Sequence, residues 1–268
     1  MSICFIVGHG KSKSGGYDSG AVYGNYHEFR IAREIAKYAA EYYNVNFAES
    51  ASLMNYEANL YLSERIKLAN SKRFDFVAEI HLNAGKGTGA EAFYSKGSAT
   101  GKAIAAEVSK KIAIALNIRD RGAKTKVNAS GADYFGIIRQ TSMESILIEC
   151  GFIDSADLNK LKTPEGQRAC GIAIAQAVAA ARKVKAYVGS APAAKPAPVA
   201  PVKKVYYFNK CNVKYTSIVD ALKSLGFNSS FSYRKQIAAV NGIKGYIGTA
   251  KQNTTLLNLL KQGKLIKP

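Results

Sequence analysis

Residues 74–85, FDFVAEIHLNAG, form a short apolar run with β-branched and aromatic residues that stops at Asn-Ala-Gly, the pattern of a buried strand with His81 at its carboxyl end. Similar runs stand at 2–8 (SICFIVG), 91–95 (EAFYS) and 146–152 (ILIECGF). Between and after them lie segments with apolar residues at helical spacing: 27–43 (HEFRIAREIAKYAAEYY), 99–117 (ATGKAIAAEVSKKIAIALN) and 165–183 (EGQRACGIAIAQAVAAARK). Strands alternating with amphipathic helices predict an α/β fold, a twisted, mostly parallel sheet flanked by helices on both faces. Such sheets bind ligands where loops leave the carboxyl ends of the strands. Polar residues at those ends are therefore the candidates for chemistry.

The chain is longer than one typical domain. Residues 189–202, GSAPAAKPAPVAPV, hold four of the six prolines, which predicts an extended, semi-rigid linker. The reading is a domain at 1–186, a linker at 187–202 and a small C-terminal domain at 203–268. That last part reads as mainly helical α+β: VYYFN (205–209) as a short strand, then helical patterns at 216–226, 232–242 and 249–263. Thr249 with Gln252 forms a capping box, and Gly226, Gly242 and Gly263 fall where helices should stop.

Hydrophobic content of 47% and charged content of 21% are those of a globular protein and exclude a disordered chain. The four cysteines, Cys4, Cys150, Cys170 and Cys211, lack a CxxC spacing and sit mostly in apolar runs, so buried free thiols of a reducing compartment are expected. The opening MSICFIVGHG has no basic leader, and its apolar run is too short for a signal sequence or a membrane span. The expectation is synthesis in a reducing cytoplasm without a signal peptide and without membrane insertion. The net charge of +19 points to a polyanionic partner. It is concentrated in the tail, where residues 203–268 hold twelve basic residues against one acid, Asp220, a net +11.

There are three histidines, and His9 and His81 both fall at carboxyl ends of predicted strands. Neutral imidazoles suit zinc, and a catalytic zinc site takes three protein ligands and leaves one position open. Glu28, in the opening turn of the first predicted helix, is the third candidate, with His27 its rival. Neighbouring helix positions point about 100° apart, so one of the two faces the metal. Glu149 is a carboxylate inside an apolar run, which is costly unless it is paired or works beside a metal. Alternation sends Glu149 and Cys150 to opposite sides of their strand.

Four motifs in this order, VGHG with its Gly-rich loop and acidic helix start (His9, Glu28), EIHLNAG followed by GAEAFY (His81, Glu91), RGAK (Arg121 to Lys124) and ILIECGFID (Glu149), resemble the zinc-dependent N-acetylmuramoyl-L-alanine amidases of the amidase-3 type, found in autolysins and phage endolysins. The resemblance covers about the first 185 residues. It implies peptidoglycan as substrate, zinc on His9, Glu28 and His81, and Glu149 as the catalytic carboxylate. Zinc would supply an activated water, and Glu149 would take its proton and pass it to the departing alanine nitrogen. Glu91, Arg121 and Lys124 read equally as groove-shaping residues or as a salt-bridged loop. The family commonly has an acidic residue before Gly-His where this chain has Val7, which implies a more loosely oriented His9.

The C-terminal part resembles, more loosely, the small domain of some Bacillus-phage endolysins. That implies attachment to an anionic cell-wall polymer and action on the wall after the membrane is permeabilised; separately, the apolar helical positions of the tail leave a self-association surface, and so a homo-oligomer, as an alternative to core. Leu256, Leu257 and Leu260 read as core. Three rivals remain. A nucleic-acid-binding protein accounts for the charge and for KKVYYFNKCNVKY, but not for two strand-end histidines, so no specific nucleic acid is expected. A nucleotide-binding enzyme fails on spacing, since Gly10 to Gly16 fits neither glycine-loop motif. A zinc peptidase acting on the stem peptide would share the metal chemistry.

Overall fold

In the computed structural model, which describes residues 2–186, 207–243 and 245–267, the predicted alternation becomes a six-stranded sheet with helices on both faces. Chain order runs β1 (Ser2–Val7), the short pairs β2 (Gly10–Lys11) with β3 (Tyr17–Asp18) and β4 (Val22–Tyr23) with β5 (Tyr26–His27), α1 (Glu28–Asn46), β6 (Ser50–Met54) and α2 (Leu62–Lys72). It continues through β7 (Phe76–Asn83), β8 (Ala90–Tyr94), α3 (Ala99–Leu116), β9 (Asp120–Lys124), α4 (Gly136–Gln140), β10 (Glu144–Phe152), α5 (Leu158–Leu161) and α6 (Pro164–Ala181). The sheet order is β6-β1-β7-β10-β8-β9. Pairing is parallel except between β8 and β10.

Side-chain alternation divides the core into two layers. Ile3, Phe5 and Val7 of β1, with Phe76, Ala78 and Ile80 of β7 and Ile146, Ile148 and Cys150 of β10, pack under α1, α3 and α6. Cys4, Ile6, Val77 and Leu147 face the other way, against Ile66 of α2 and Ile137 of α4. All four cysteines are buried and free. Besides the two-residue strands β2 to β5, two strands of the six-stranded sheet have no counterpart in the sequence reading. β6 (SASLM) and β9 (DRGAK) lie at the two sheet edges with one strand partner each, so neither carries the continuous apolar run of a central strand.

The chain divides into two compact units, Met1–Ala191 and Pro192–Pro268. The predicted linker lies outside the described residues, as do Val205 and Tyr206 of the predicted strand; Tyr207 makes an isolated antiparallel bridge with Ile266. The second unit packs α7 (Ile218–Ser224), α8 (Phe231–Val240) and α9 (Ala250–Gln262) around Phe208, Leu222, Ile237, Leu256, Leu257 and Leu260. Thr249 and Gln252 cap α9 reciprocally, and Gly263 ends it at φ 71° in the left-handed region. Among the described residues, no helix is long and apolar enough to cross a membrane.

Candidate metal centre

The two histidines reach one spot because β1 and β7 are parallel neighbours, and both end at the same edge. Beyond Val7 the chain turns: Gly8 N donates to Ile80 O at 3.0 Å, and His9 adopts φ 61°. A non-glycine residue there is strained and must be held. Its carbonyl accepts from Asn55 Nδ2 at 2.8 Å and from the Arg65 guanidinium at 3.0 Å. His9 Nδ1 lies 2.9 Å from Asp18 Oδ2, and Gly20 N donates to the other oxygen of Asp18. The loose His9 expected from Val7 is thus corrected, because a carboxylate from the Gly-rich loop orients the ring.

Glu28 opens α1, where the helix dipole favours a carboxylate. Its Oε1 sits 3.1 Å from His9 Nε2 and 2.9 Å from His81 Nδ1, and accepts from Leu82 N at 3.1 Å. Its Oε2 accepts from Ala21 N at 2.8 Å. One donor atom each from His9, Glu28 and His81 lies within 4.8 Å of the others, the group of metal-ligating type found among the described residues. His27 stands at the N-cap position in extended conformation, outside that group, with its Nδ1 buried and unbonded.

Register places the remaining carboxylates. Glu149 on β10 pairs with His81 on one side and with Glu91 on β8 on the other. Glu149 lines the same cleft of about 420 Å³ as His9, Glu28 and His81, while Cys150 points into the core. Glu149 Oε2 is buried without a hydrogen-bond partner, and the residue has no ion pair among the described residues. Glu91 is accounted for differently: Arg121 and Lys124 both donate to its Oε2, and Asn83 Nδ2 donates to Oε1 at 2.9 Å. These three residues form an ion-pair cluster and do not line the cleft.

The electrostatics follow. Burial opposes charge on His81, but Glu28 and Glu79 outweigh it and push the imidazole up to about 10. His9 is raised too: burial and the neighbouring His81 oppose its charge, and Glu28 first, with Asp18, outweighs them. The Glu28 carboxyl is held well below its usual range, its contacts with His81 and His9 overcoming burial. Glu149 moves the other way, burial raising it to about 7. The centre is thus one buried carboxylate held ionised by two imidazoles, beside a second carboxylate that exchanges protons near neutrality.

Asp18, Asn55, Arg65 and Glu79 were not singled out from the sequence. Glu79 alone carried a signal, since it lies two residues before His81 and so on the same face of β7.

The family model described as Amidase_3, N-acetylmuramoyl-L-alanine amidase, matches residues 3–180, more than half of the chain. The chain belongs to that family. It is 31% identical over 153 residues to the sporulation-specific N-acetylmuramoyl-L-alanine amidase of Bacillus subtilis (strain 168), 56% of this chain and 57% of that one. A crystal structure of an N-acetylmuramoyl-L-alanine amidase from Clostridium difficile 630 superposes with a TM-score of 0.60 at 27% identity, covering 68% of this chain and 96% of that one. A stretch of 53 residues, 20% of this chain, is 49% identical to 19% of the L-alanyl-D-glutamate peptidase of Listeria phage A118. The chain spans less than two thirds of the length of the Bacillus relatives it matches.

Proposed function

We propose that the first unit hydrolyses the amide bond between N-acetylmuramic acid and L-alanine in peptidoglycan, with a zinc ion held by His9, Glu28 and His81 and with Glu149 as general base and acid. The observation that carries this reading is the convergence of three ligand-type atoms within 4.8 Å beside a carboxylate with one buried, unbonded oxygen in the same cleft. Two imidazoles and one carboxylate are a donor set that suits zinc with one position left open. Glu28 is already ionised, so an ion would replace the protons the imidazoles now share with it. When bound, zinc polarises a carbonyl and makes water a nucleophile near neutral pH.

The chain's own residues do the rest. The cleft receives the lactyl carbonyl and the alanine nitrogen. Glu149 takes a proton from the attacking water and returns it to that nitrogen as the C–N bond breaks, leaving muramic acid with a carboxylate and the peptide with a free amino end. Asp18 keeps His9 turned with Nε2 toward Glu28.

The second unit attaches the enzyme to an anionic wall polymer. Its charge supports this, since twelve basic residues against one acid in residues 203–268 suit an anionic polymer. Synthesis in the cytoplasm and action on the wall after membrane permeabilisation complete a phage-endolysin reading.

The test is product analysis. Purified Gram-positive peptidoglycan digested by the protein should yield new alanine amino termini and no new reducing sugar ends. New amino termini at other stem residues would replace this reading with the peptidase.

A further inference from the structure

Beneath the three candidate ligands lies a charged pair that the proposed reaction does not use. Arg65, on α2, is 4% exposed and Glu79, on β7, is 2% exposed. Arg65 Nε donates to Glu79 Oε1 at 2.8 Å. A buried ion pair contributes little to stability on balance, because both ions are stripped of water. Its position is informative. Glu79 Oε2 lies 3.3 Å from His81 Nε2, the nitrogen opposite the one that faces Glu28, in ion-pair contact with a buried nitrogen that has no hydrogen-bond partner among the described residues. The same guanidinium donates through NH1 to the carbonyl of His9, the residue in left-handed conformation, and to Leu60 O, both at 3.0 Å. One arginine therefore reaches both histidines, one through a carboxylate and the other through its main chain.

We infer that Arg65 and Glu79 are the positioning pair of the metal centre, Glu79 fixing the tautomer and orientation of His81 and Arg65 fixing both Glu79 and the strained turn at His9. Asp18 does for the ring of His9 what Glu79 does for His81, so each imidazole presents one nitrogen to Glu28 and the other to an acid. Outer carboxylates of this kind raise ligand basicity, and their loss typically lowers metal affinity by roughly 10- to 100-fold. The inference rests on the zinc reading proposed above.

The experiment measures zinc affinity of the full chain by competition with a chromophoric chelator, together with the thermal midpoint of the metal-free protein. Glu79→Gln should weaken zinc binding by roughly 10- to 100-fold. Nitrogen NMR of the zinc-bound chain, with just three histidines to assign, should show an Nε2–H of His81 that exchanges slowly with solvent in the parent and faster in the variant. Because Arg65 alone cannot be removed without stranding Glu79, the paired variant Arg65→Met with Glu79→Leu deletes both charges at similar volume. It should keep its midpoint and still bind zinc weakly. Either variant binding zinc within two-fold of the parent overturns the inference. Glu28→Ala separates the two levels: if it retains full zinc affinity, the metal centre itself is wrong, whereas its loss beside an unaffected Glu79→Gln refutes the positioning role alone.

Discussion

Gly8→Ala tests whether the spot where β1 and β7 end is built as tightly as the geometry states. Gly8 has no positive φ, so alanine fits its backbone and the effect is steric. A Cβ there would lie 2.2 Å from Cε1 and Nε2 of His81 and 2.6 Å from Nδ1. Carbon contacts are comfortable at about 3.5 Å, so the ring must retreat by more than ~1 Å. It cannot do so and keep its 2.9 Å contact with Glu28. Displacing a ligand ring should cost at least as much zinc affinity as losing a group that orients it, ~10- to 100-fold. Overpacking adds ~1–3 kcal/mol of destabilisation, within what a domain of this size tolerates. The assay is chelator competition, with circular dichroism to establish that the fold persists. A folded Gly8→Ala protein that binds zinc as the parent does would refute the claim that His81 is immobilised at this position.

Glu149→Gln removes the proton carrier while leaving the three ligands, so kcat should fall by ~10²- to 10⁴-fold with zinc binding retained, read from the release of alanine amino termini. The same variant tests the cost of the unpaired carboxylate. In the metal-free parent, Glu149 rises from 4.5 to about 7, so the folded state holds a proton that the unfolded state releases. Stability from this group is complete below pH 4.5 and is lost as pH rises toward 7, by up to ~3 kcal/mol. Metal-free Glu149→Gln should therefore gain thermal midpoint over the parent at pH 8 and not at pH 4, and a difference independent of pH would count against this. Zinc affinity of the parent should rise with pH and binding should release protons, because His81 is raised to about 10 without the ion; calorimetry in buffers of different ionisation enthalpy measures this. Adhesion of the full chain to purified walls should weaken as salt is raised and after the anionic polymer is stripped, and adhesion insensitive to both would exclude the charge mechanism.

The interior of the sheet was legible because its strands are covered on both faces. FVAEIHLN and ILIECGF carry near-continuous apolar runs, which only central strands need. The edges were not: SASLM and DRGAK have one neighbour each, and their polar residues are tolerated for that reason. RGAK drew notice as one of the four motifs of the resemblance, and the structure gives its charge a local use, Arg121 and Lys124 closing on Glu91.

Within the site, the residues that were legible are those whose chemistry is out of place in their surroundings: imidazoles at strand ends and carboxylates in apolar runs. Their supports were not, because support is a relation between elements. Nothing in SERIKLAN says that Arg65 lies under His9 and Glu79; that follows from α2 packing against the sheet layer that holds Ile6, Val77 and Leu147. Asp18 reaches His9 because β2 and β3 close a hairpin that sets Gly10 opposite Asp18. The choice between His27 and Glu28 was likewise a question of helix phase. With α1 beginning at Glu28, its first side chain turns under the sheet edge and receives Leu82 N, while His27 stays in the extended ribbon opposite Val22. The candidate site is held by atoms from the turn after β1, the β2–β3 hairpin, α1, α2 and β7, so it exists once the sheet has formed, and the metal affinity proposed for it should fall in any variant that loosens that edge.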